Sequence, residues 1–255
     1  MKAKERIASI IEQIPYNGFI MIKDLSDKYN VTEETIRRDL NKIVEMNVGI
    51  RKAHGGAYRC HQGDVAAPQS FRQIMLPGVK QRFAAFCSSL IIPNSCIMLD
   101  SSTTSRFIAN KIKELNRQVT VVTNSIATAG IFEDSENVNV VCAGGNLRKL
   151  NGSLVGPTAI DTIERYCANC CFVSPASVDE QFGLTDHNEE EARIRACMIK
   201  QSKRRYLVVD HTKFGWAGIN RIGSIDMVDM VITDGETDQV WLQRFRELGI
   251  EYKVC

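Results

Sequence analysis

The stretch VTEETIRRDLNKIVEMNVGIRKAHGGA, residues 31–57, decides the first half of the fold. Ile36, Leu40 and Ile43 recur at i, i+4 and i+7 and so share one face of a 3.6-residue helix. At about 100° per residue, Arg38 lies nearly opposite that stripe, with Glu34, Thr35, Arg37, Asn41, Lys42 and Glu45 spread around it. Thr32 stands where an N-cap belongs, and Glu33 and Glu34 occupy the first turn, where the helix dipole favours acids. Asn47 stands where the helix should end, because Asn tolerates the left-handed conformation of a C-terminal cap. Gly55 and Gly56 let the chain reverse, leaving Arg51, Lys52 and His54 on a short basic hairpin.

Two further helices precede this one. Leu25 and Tyr29, four apart, place a helix over 22–29, separated from Thr32 by Asn30 and Val31, and KERIASIIEQI at 4–14 is amphipathic. A helix, a tight turn, a helix with outward cations and then a basic hairpin form a winged helix-turn-helix, which reads double-stranded DNA. A three-helix bundle with a merely solvated basic face is the alternative; the ordered series of cap, stripe, cations and Gly-Gly favours the DNA reader.

Outside this segment the chain is ordinary. The formal net charge of the 255 residues is +2, which excludes a purely electrostatic nucleic-acid coat. Residues 1–59 carry 11 Lys+Arg against 8 Asp+Glu, and the remainder 21 against 22, so the positive excess lies with the helix and hairpin. No apolar run approaches the roughly 20 residues that cross a bilayer, and no hydrophobic segment follows the charged N-terminus. A cytoplasmic protein without a membrane partner is expected. Nine cysteines at irregular spacings argue for a reducing compartment rather than a disulfide framework. Cys167, Cys170 and Cys171 lead into an apolar strand without a second Cys/His pair, so they read as buried small residues before a metal or redox site.

Between Tyr58 and Gly78 the periodicity lapses and Gly63, Pro68, Pro77 and Gly78 accumulate, marking a domain connection. After a helix at 79–91, apolar runs at 95–100, 119–124, 138–143, 170–176, 205–210 and 229–234 alternate with helical stretches, and a helix near 237–248 and a strand at 251–254 close the chain. That is an α/β domain with a largely parallel sheet covered on both faces. Ligands of such sheets gather at the carboxyl ends of the strands. Here those ends carry Asp100-Ser101-Ser102-Thr103-Thr104, Thr123-Asn124-Ser125, Gly144-Gly145 and Asp210-His211-Thr212-Lys213. Hydroxyls and free amides at a helix start suit a phosphate, paired glycines admit a ligand to the backbone, and Lys213 offers an ammonium. The joint expectation is a pocket for a small polyhydroxylated anion, with no cofactor, metal or catalytic residue. The competing reading is a sugar-phosphate isomerase-like enzyme using Asp100, Lys213 and Glu189 to Glu191 as acid-base groups.

The chain resembles the DeoR family of bacterial transcriptional regulators over nearly its full length. The resemblance is carried by Thr35-Ile36-Arg37-Arg38-Asp39-Leu40, His54-Gly55-Gly56-Ala57, Leu99-Asp100 with Thr103-Thr104, Val122-Thr123-Asn124-Ser125, Gly144-Gly145, Leu154-Val155-Gly156-Pro157 and Asp210 with Lys213-Phe214-Gly215. It implies a winged helix-turn-helix domain at 1–58, a linker at 59–75 and an effector-sensing α/β domain at 76–255, related in fold to ribose-5-phosphate isomerase. It further implies a homodimeric or homotetrameric repressor of a carbohydrate catabolic operon, released by a phosphorylated sugar or polyol; an activator would use the same residues. Ser102 stands where the family pattern has glycine, Ser174 to Val178 replace a G-A-S-G-I type of strand end, and Asp186-His187 replace Thr-Pro. These departures lie near the expected pocket and bear on which metabolite it accepts.

Overall fold

The computed structural model describes residues 2–14, 19–46, 49–53, 55–59 and 68–255; Asn47, His54 and Gly63 lie outside the described residues. The chain divides into two compact units, Met1–Met75 and Leu76–Cys255.

In the first unit, α1 (Ala3–Gln13), β1 (Phe19–Met21), α2 (Ile22–Tyr29), α3 (Glu33–Glu45), β2 (Ile50–Ala53), β3 (Gly56–Arg59) and α4 (Gln69–Ile74) follow in order. The stripe Ile36, Leu40 and Ile43 is fully buried with Ile10, Leu25, Ile50 and Ala57. The side chain of Thr32 accepts from Thr35 N, the cap expected at the start of α3. Asn30, at φ 49°, ends α2 in the left-handed conformation that makes the turn. The three strands pair antiparallel in the order β1-β3-β2, with Phe19 opposite Tyr58 and Ile50 opposite Arg59. Gly56 lets β1 lie close, because a Cβ there would stand 2.5 Å from the carbonyl oxygen of Ile20.

The segment expected as a bare linker carries helix α4, which belongs to this unit. Phe71 is buried, its ring centroid 5.0 Å from that of Phe19 and 6.1 Å from that of Tyr58. A helix of six residues shows too little periodicity to announce itself; one aromatic anchor fixes it.

In the second unit, α5 (Pro77–Ser89), β4 (Cys96–Leu99), α6 (Thr103–Glu114), β5 (Val119–Thr123), α7 (Ile126–Gly130) and β6 (Val138–Cys142) come first. A hairpin of β7 (Asn146–Arg148) and β8 (Ser153–Val155) leads to α8 (Pro157–Glu164) and β9 (Ala168–Val173). Then come β10 (Ser177–Asp179), β11 (Gly183–Asp186), α9 (Glu189–Lys200), β12 (Ser202–Val208), β13 (Asn220–Gly223), β14 (Met230–Thr233), α10 (Gln239–Glu247) and β15 (Glu251–Val254). Seven strands make one parallel sheet in the order β15-β14-β12-β9-β4-β5-β6, each at a run expected from sequence. Alternate residues feed two cores: Met98, Val122, Cys171, Val173, Leu207 and Val231 face α8, α9 and α10, while Ile97, Leu99, Val121, Cys170, Phe172 and Val208 face α5 and α6. Cys170 and Cys171 therefore enter opposite cores, and burial pushes both thiols up to about 12. The small antiparallel sheet β10-β11-β13 and the hairpin β7-β8 were no part of the expectation. Their strands of three or four residues show no usable alternation.

One buried ion pair ties α1 to α3 in the first unit, with Arg6 Nε donating to Asp39 Oδ2 at 2.6 Å. Removing one partner strands the other charge in the core. Asp39→Ala is expected to destabilise this unit by about 3–5 kcal/mol, and Arg6→Met with Asp39→Leu by much less. Urea unfolding of the full chain measures both, and equal losses for the single and double variants would exclude this account.

Candidate functional site

The candidate nucleic-acid face comprises α3 and the β2-β3 hairpin. Arg37, Arg38 and Lys42 are exposed on the side of α3 away from the Ile36-Leu40-Ile43 stripe, and Thr35 is half-buried at its first turn. Arg37 Nη2 donates to Glu33 Oε2 and Arg38 Nε to Glu34 Oε1, both at 3.2 Å. Exposed i,i+4 pairs of this kind contribute only about 0.3–0.5 kcal/mol, so a DNA phosphate or guanine can displace the glutamates at small cost. Lys52 Nζ donates to Asn41 Oδ1, linking the wing to the reading helix. Arg51, exposed on the same strand, points to the opposite side because successive strand residues alternate. His54, the third wing residue expected, lies outside the described residues.

In the second unit, parallel strands bring all their carboxyl ends to one rim. The strand order reverses between β4 and β9, so Asp100 and Ser174 emerge side by side at the switch point. Asp100 is fully buried and turned inward. Its Oδ1 accepts from Ser102 N at 3.0 Å and Ser105 Oγ at 2.6 Å, and its Oδ2 from Ser174 N at 2.9 Å and Arg195 Nε at 2.8 Å. It organises the loop rather than presenting a carboxylate to solvent.

Arg195 is the residue that sequence reasoning missed. It is 4 % exposed, and its Nη1 lies 2.5 Å from Asp186 Oδ2 and 3.5 Å from Glu191 Oε2. Glu191 in turn accepts from Ser101 Oγ at 2.7 Å, from Asn151 Nδ2 at 3.2 Å and from Ser153 Oγ. Burial opposes the charge of Arg195, but Asp186, Asp100 and Glu191 outweigh it and hold the guanidinium strongly protonated. Burial likewise raises the carboxyl of Glu191, while Arg195 and the hydrogen bonds from Ser153, Ser101 and Asn151 more than offset it, so its pKa is lowered. A helical projection holds the missed signal. Arg195 falls on the stripe of Glu191 and Met198, which faces the core.

The remaining expected residues are placed as follows. Ser102 caps α6 by accepting from Ser105 N at 3.0 Å, and Thr103 and Thr104 are buried in the first turn behind it. Ser125 accepts from Thr128 N at 3.2 Å and bridges to Ser153, while Asn124 Nδ2 donates to the carbonyl of Leu154 at 3.2 Å. Gly144 and Gly145 are exposed, but Gly145 has an architectural reason to lack a side chain. At φ 116°, a Cβ there would stand 2.4 Å from the Val155 carbonyl oxygen across the hairpin. Lys213 ends the short 3₁₀ turn His211–Lys213, whose N-cap Asp210 accepts from Thr212 N at 3.1 Å. The following loop is fixed to the small sheet, with Gly215 N donating to the Val178 carbonyl at 3.0 Å and Gly218 N to Thr185 Oγ1 at 2.8 Å. The ring of Trp216 then stacks on that of His187 at 5.3 Å, joining two of the segments at the rim.

The carboxylates of this rim are not placed for proton transfer. Asp100 and Glu191 are 0 % and 1 % exposed with their oxygens engaged, so neither can act as a base beside a substrate carbon. A lowered folded-state pKa means that the contribution of Glu191 is present above the unfolded value, near 4.3, and is lost as pH falls through the folded one. In Arg195→Met the hydrogen bonds from Ser101, Asn151 and Ser153 would remain, but the largest influence opposing the burial of Glu191 would be gone. Its pKa would rise, and the variant should regain stability relative to wild type as pH falls from 7 toward 5, read by urea unfolding at each pH. Parallel losses on acidification would show that Arg195 does not keep Glu191 ionised.

Comparison with known proteins adds a lineage to this geometry. The ribose 5-phosphate isomerase A of Neisseria gonorrhoeae superposes on 53 % of the chain and 52 % of its own, with TM-score 0.38 and 11 % identity. The glycerol-3-phosphate regulon repressor of Escherichia coli K12 is 29 % identical over the full length of both chains. The HTH-type transcriptional regulator YulB of Bacillus subtilis, described as uncharacterized, is 33 % identical over 93 % of the chain and 91 % of its own. Residues 6–63 match the DeoR-like helix-turn-helix domain, and residues 77–235 match the DeoR C terminal sensor domain. The chain belongs to the DeoR family and is a DNA-binding transcriptional regulator, not an enzyme.

Proposed function

We propose that this regulator is a cytoplasmic repressor of a carbohydrate catabolic operon, released from DNA by a phosphorylated sugar or polyol. Thr35, Arg37, Arg38 and Lys42 enter the major groove of operator DNA or grip its phosphates, and Arg51, Lys52 and His54 anchor the wing. The two copies in a homodimer, or pairs within a homotetramer, read two half-sites about one helical turn apart or a multiple of it. The effector is held at the rim by Ser101 to Thr104, Asn124, Ser125, Gly144, Gly145 and Lys213, with Asp100 setting the loop.

The observation that carries this reading is the convergence of hydroxyl- and amide-bearing loops ahead of an α-helix N-terminus, in a chain whose other unit exposes a cationic helix face. A relative named for glycerol-3-phosphate supports a phosphorylated metabolite. Binding releases DNA only through differential affinity, so the effector favours the arrangement that does not fit the operator.

A thermal-shift screen of sugar and polyol phosphates on the full chain tests the sensor, and the compound that raises Tm must also weaken operator binding in a gel shift. Compounds that bind yet leave the DNA complex intact would refute release. For the reading helix, Arg38→Ala should cost at least about 1 kcal/mol of operator affinity, and Lys52→Ala should reduce the slope of log K against log salt by about one. Unchanged affinity in Arg38→Ala would remove that side chain from the interface.

A further inference from the structure

The strand order directs attention to the crevice between β4 and β9, but that side of the rim is filled by the protein's own ions. Asp100, Ser174, Arg195, Asp186 and Glu191 engage one another there. The β5 side of the same loop is different. Among the described residues, Asn124 Oδ1, Thr128 Oγ1 and Arg106 Nε are buried polar atoms with no hydrogen-bond partner, and Asn124 and Thr128 are fully enclosed. Native proteins leave few such atoms unpaired, and here three occur on the two segments that follow β4 and β5.

Arg106 stands in the second turn of α6, four residues after the cap Ser102. A helical side chain leans toward the turn N-terminal to its own Cα, which for Arg106 is the turn that begins at Ser102 and Thr103. Lys113, seven residues on and on the same face, donates to Asp134 beyond α7, and α6 packs against α7. Arg106 thus shares its face of α6 with Lys113, and α6 packs against the helix that carries Thr128. Half-buried and without a carboxylate in reach among the described residues, it is a cation beside a helix N-terminus.

We infer that the effector sits on the β4–β5 side of the rim and that Arg106 is its anion partner, a specificity residue for a phosphate monoester bearing a nearby free hydroxyl. This rests on the effector reading above. The phosphate bridges the Arg106 guanidinium and the backbone amides of Thr103 and Thr104, and the hydroxyl donates to Asn124 Oδ1 and exchanges a hydrogen bond with Thr128. Ser102, in place of the family's glycine, caps α6 and leaves those amides to the ligand.

Isothermal titration of the full chain with glycerol 3-phosphate, a pentose 5-phosphate and a hexose 6-phosphate, each beside its unphosphorylated parent, tests the inference. For any phosphate that binds wild type, Arg106→Gln should lose at least about tenfold in affinity, and Arg106→Lys should recover part of it. Melting temperature and operator affinity without compound should stay unchanged in both. Thr128→Val should bind more weakly while melting higher, because it deletes an unpaired buried hydroxyl; a purely structural Thr128 would leave binding alone. Wild-type affinity in Arg106→Gln overturns the placement while the effector reading survives. Binding of none of the phosphates by wild type overturns both.

Discussion

Arg195 is enclosed with Asp100, Asp186 and Glu191 around it, and each carboxylate arrives on a different element: the end of β4, the end of β11 and the first turn of α9. Through Asn151 and Ser153, Glu191 also holds the hairpin β7-β8. A planar guanidinium accepts these partners only along its fixed donor directions. The cation thus ties the ends of β4 and β11 and, through Glu191, the hairpin β7-β8 to α9, and it stays inside only because they all arrive. Buried charges seldom improve on a well-packed apolar core, but they exclude arrangements in which a partner is missing. For a rim that must hold a defined shape, that exclusion matters more than net stability.

The two units use charge in opposite regimes. On α3 the arginines are exposed, their glutamate partners are near neighbours in sequence, and the pairs are weak enough to exchange for DNA in the proposed complex. At the rim the charges are enclosed and their partners come from as far as 95 residues away. A regulator needs this division: contacts that turn over on the output side, and a fixed frame on the input side against which a bound metabolite can make a difference.

The same division explains what the sequence disclosed. The stripe and cap of α3 are local, and seven strands of the parallel sheet are apolar runs long enough to be read singly. The strands β7, β8, β10 and β11 pair within short hairpins but are too brief to show an alternation, while β13 and the helix α4 are held by contacts whose partners lie elsewhere in the chain. Asp100 was legible as part of the site, but not its inward orientation, which depends on Arg195. Gly145 was legible as a close approach, yet what approaches it is the carbonyl of Val155. In each case the residue type gave the kind of constraint and the tertiary structure supplied the object.

In the DNA complex proposed above, the glutamates of α3 have a consequence for how the protein finds its operator. Arg37 and Arg38 each carry an anion on the same helix that competes with any phosphate the helix meets. At a random site, only the generic attraction to the backbone is available to displace it, so residence there is shortened. At a cognate site, base contacts add to that attraction and the glutamates yield. Since a genome offers about 10⁶–10⁹ competing sites, lowering the baseline leaves more protein free to search. A weak intrahelical pair, negligible for folding, thereby bears on discrimination.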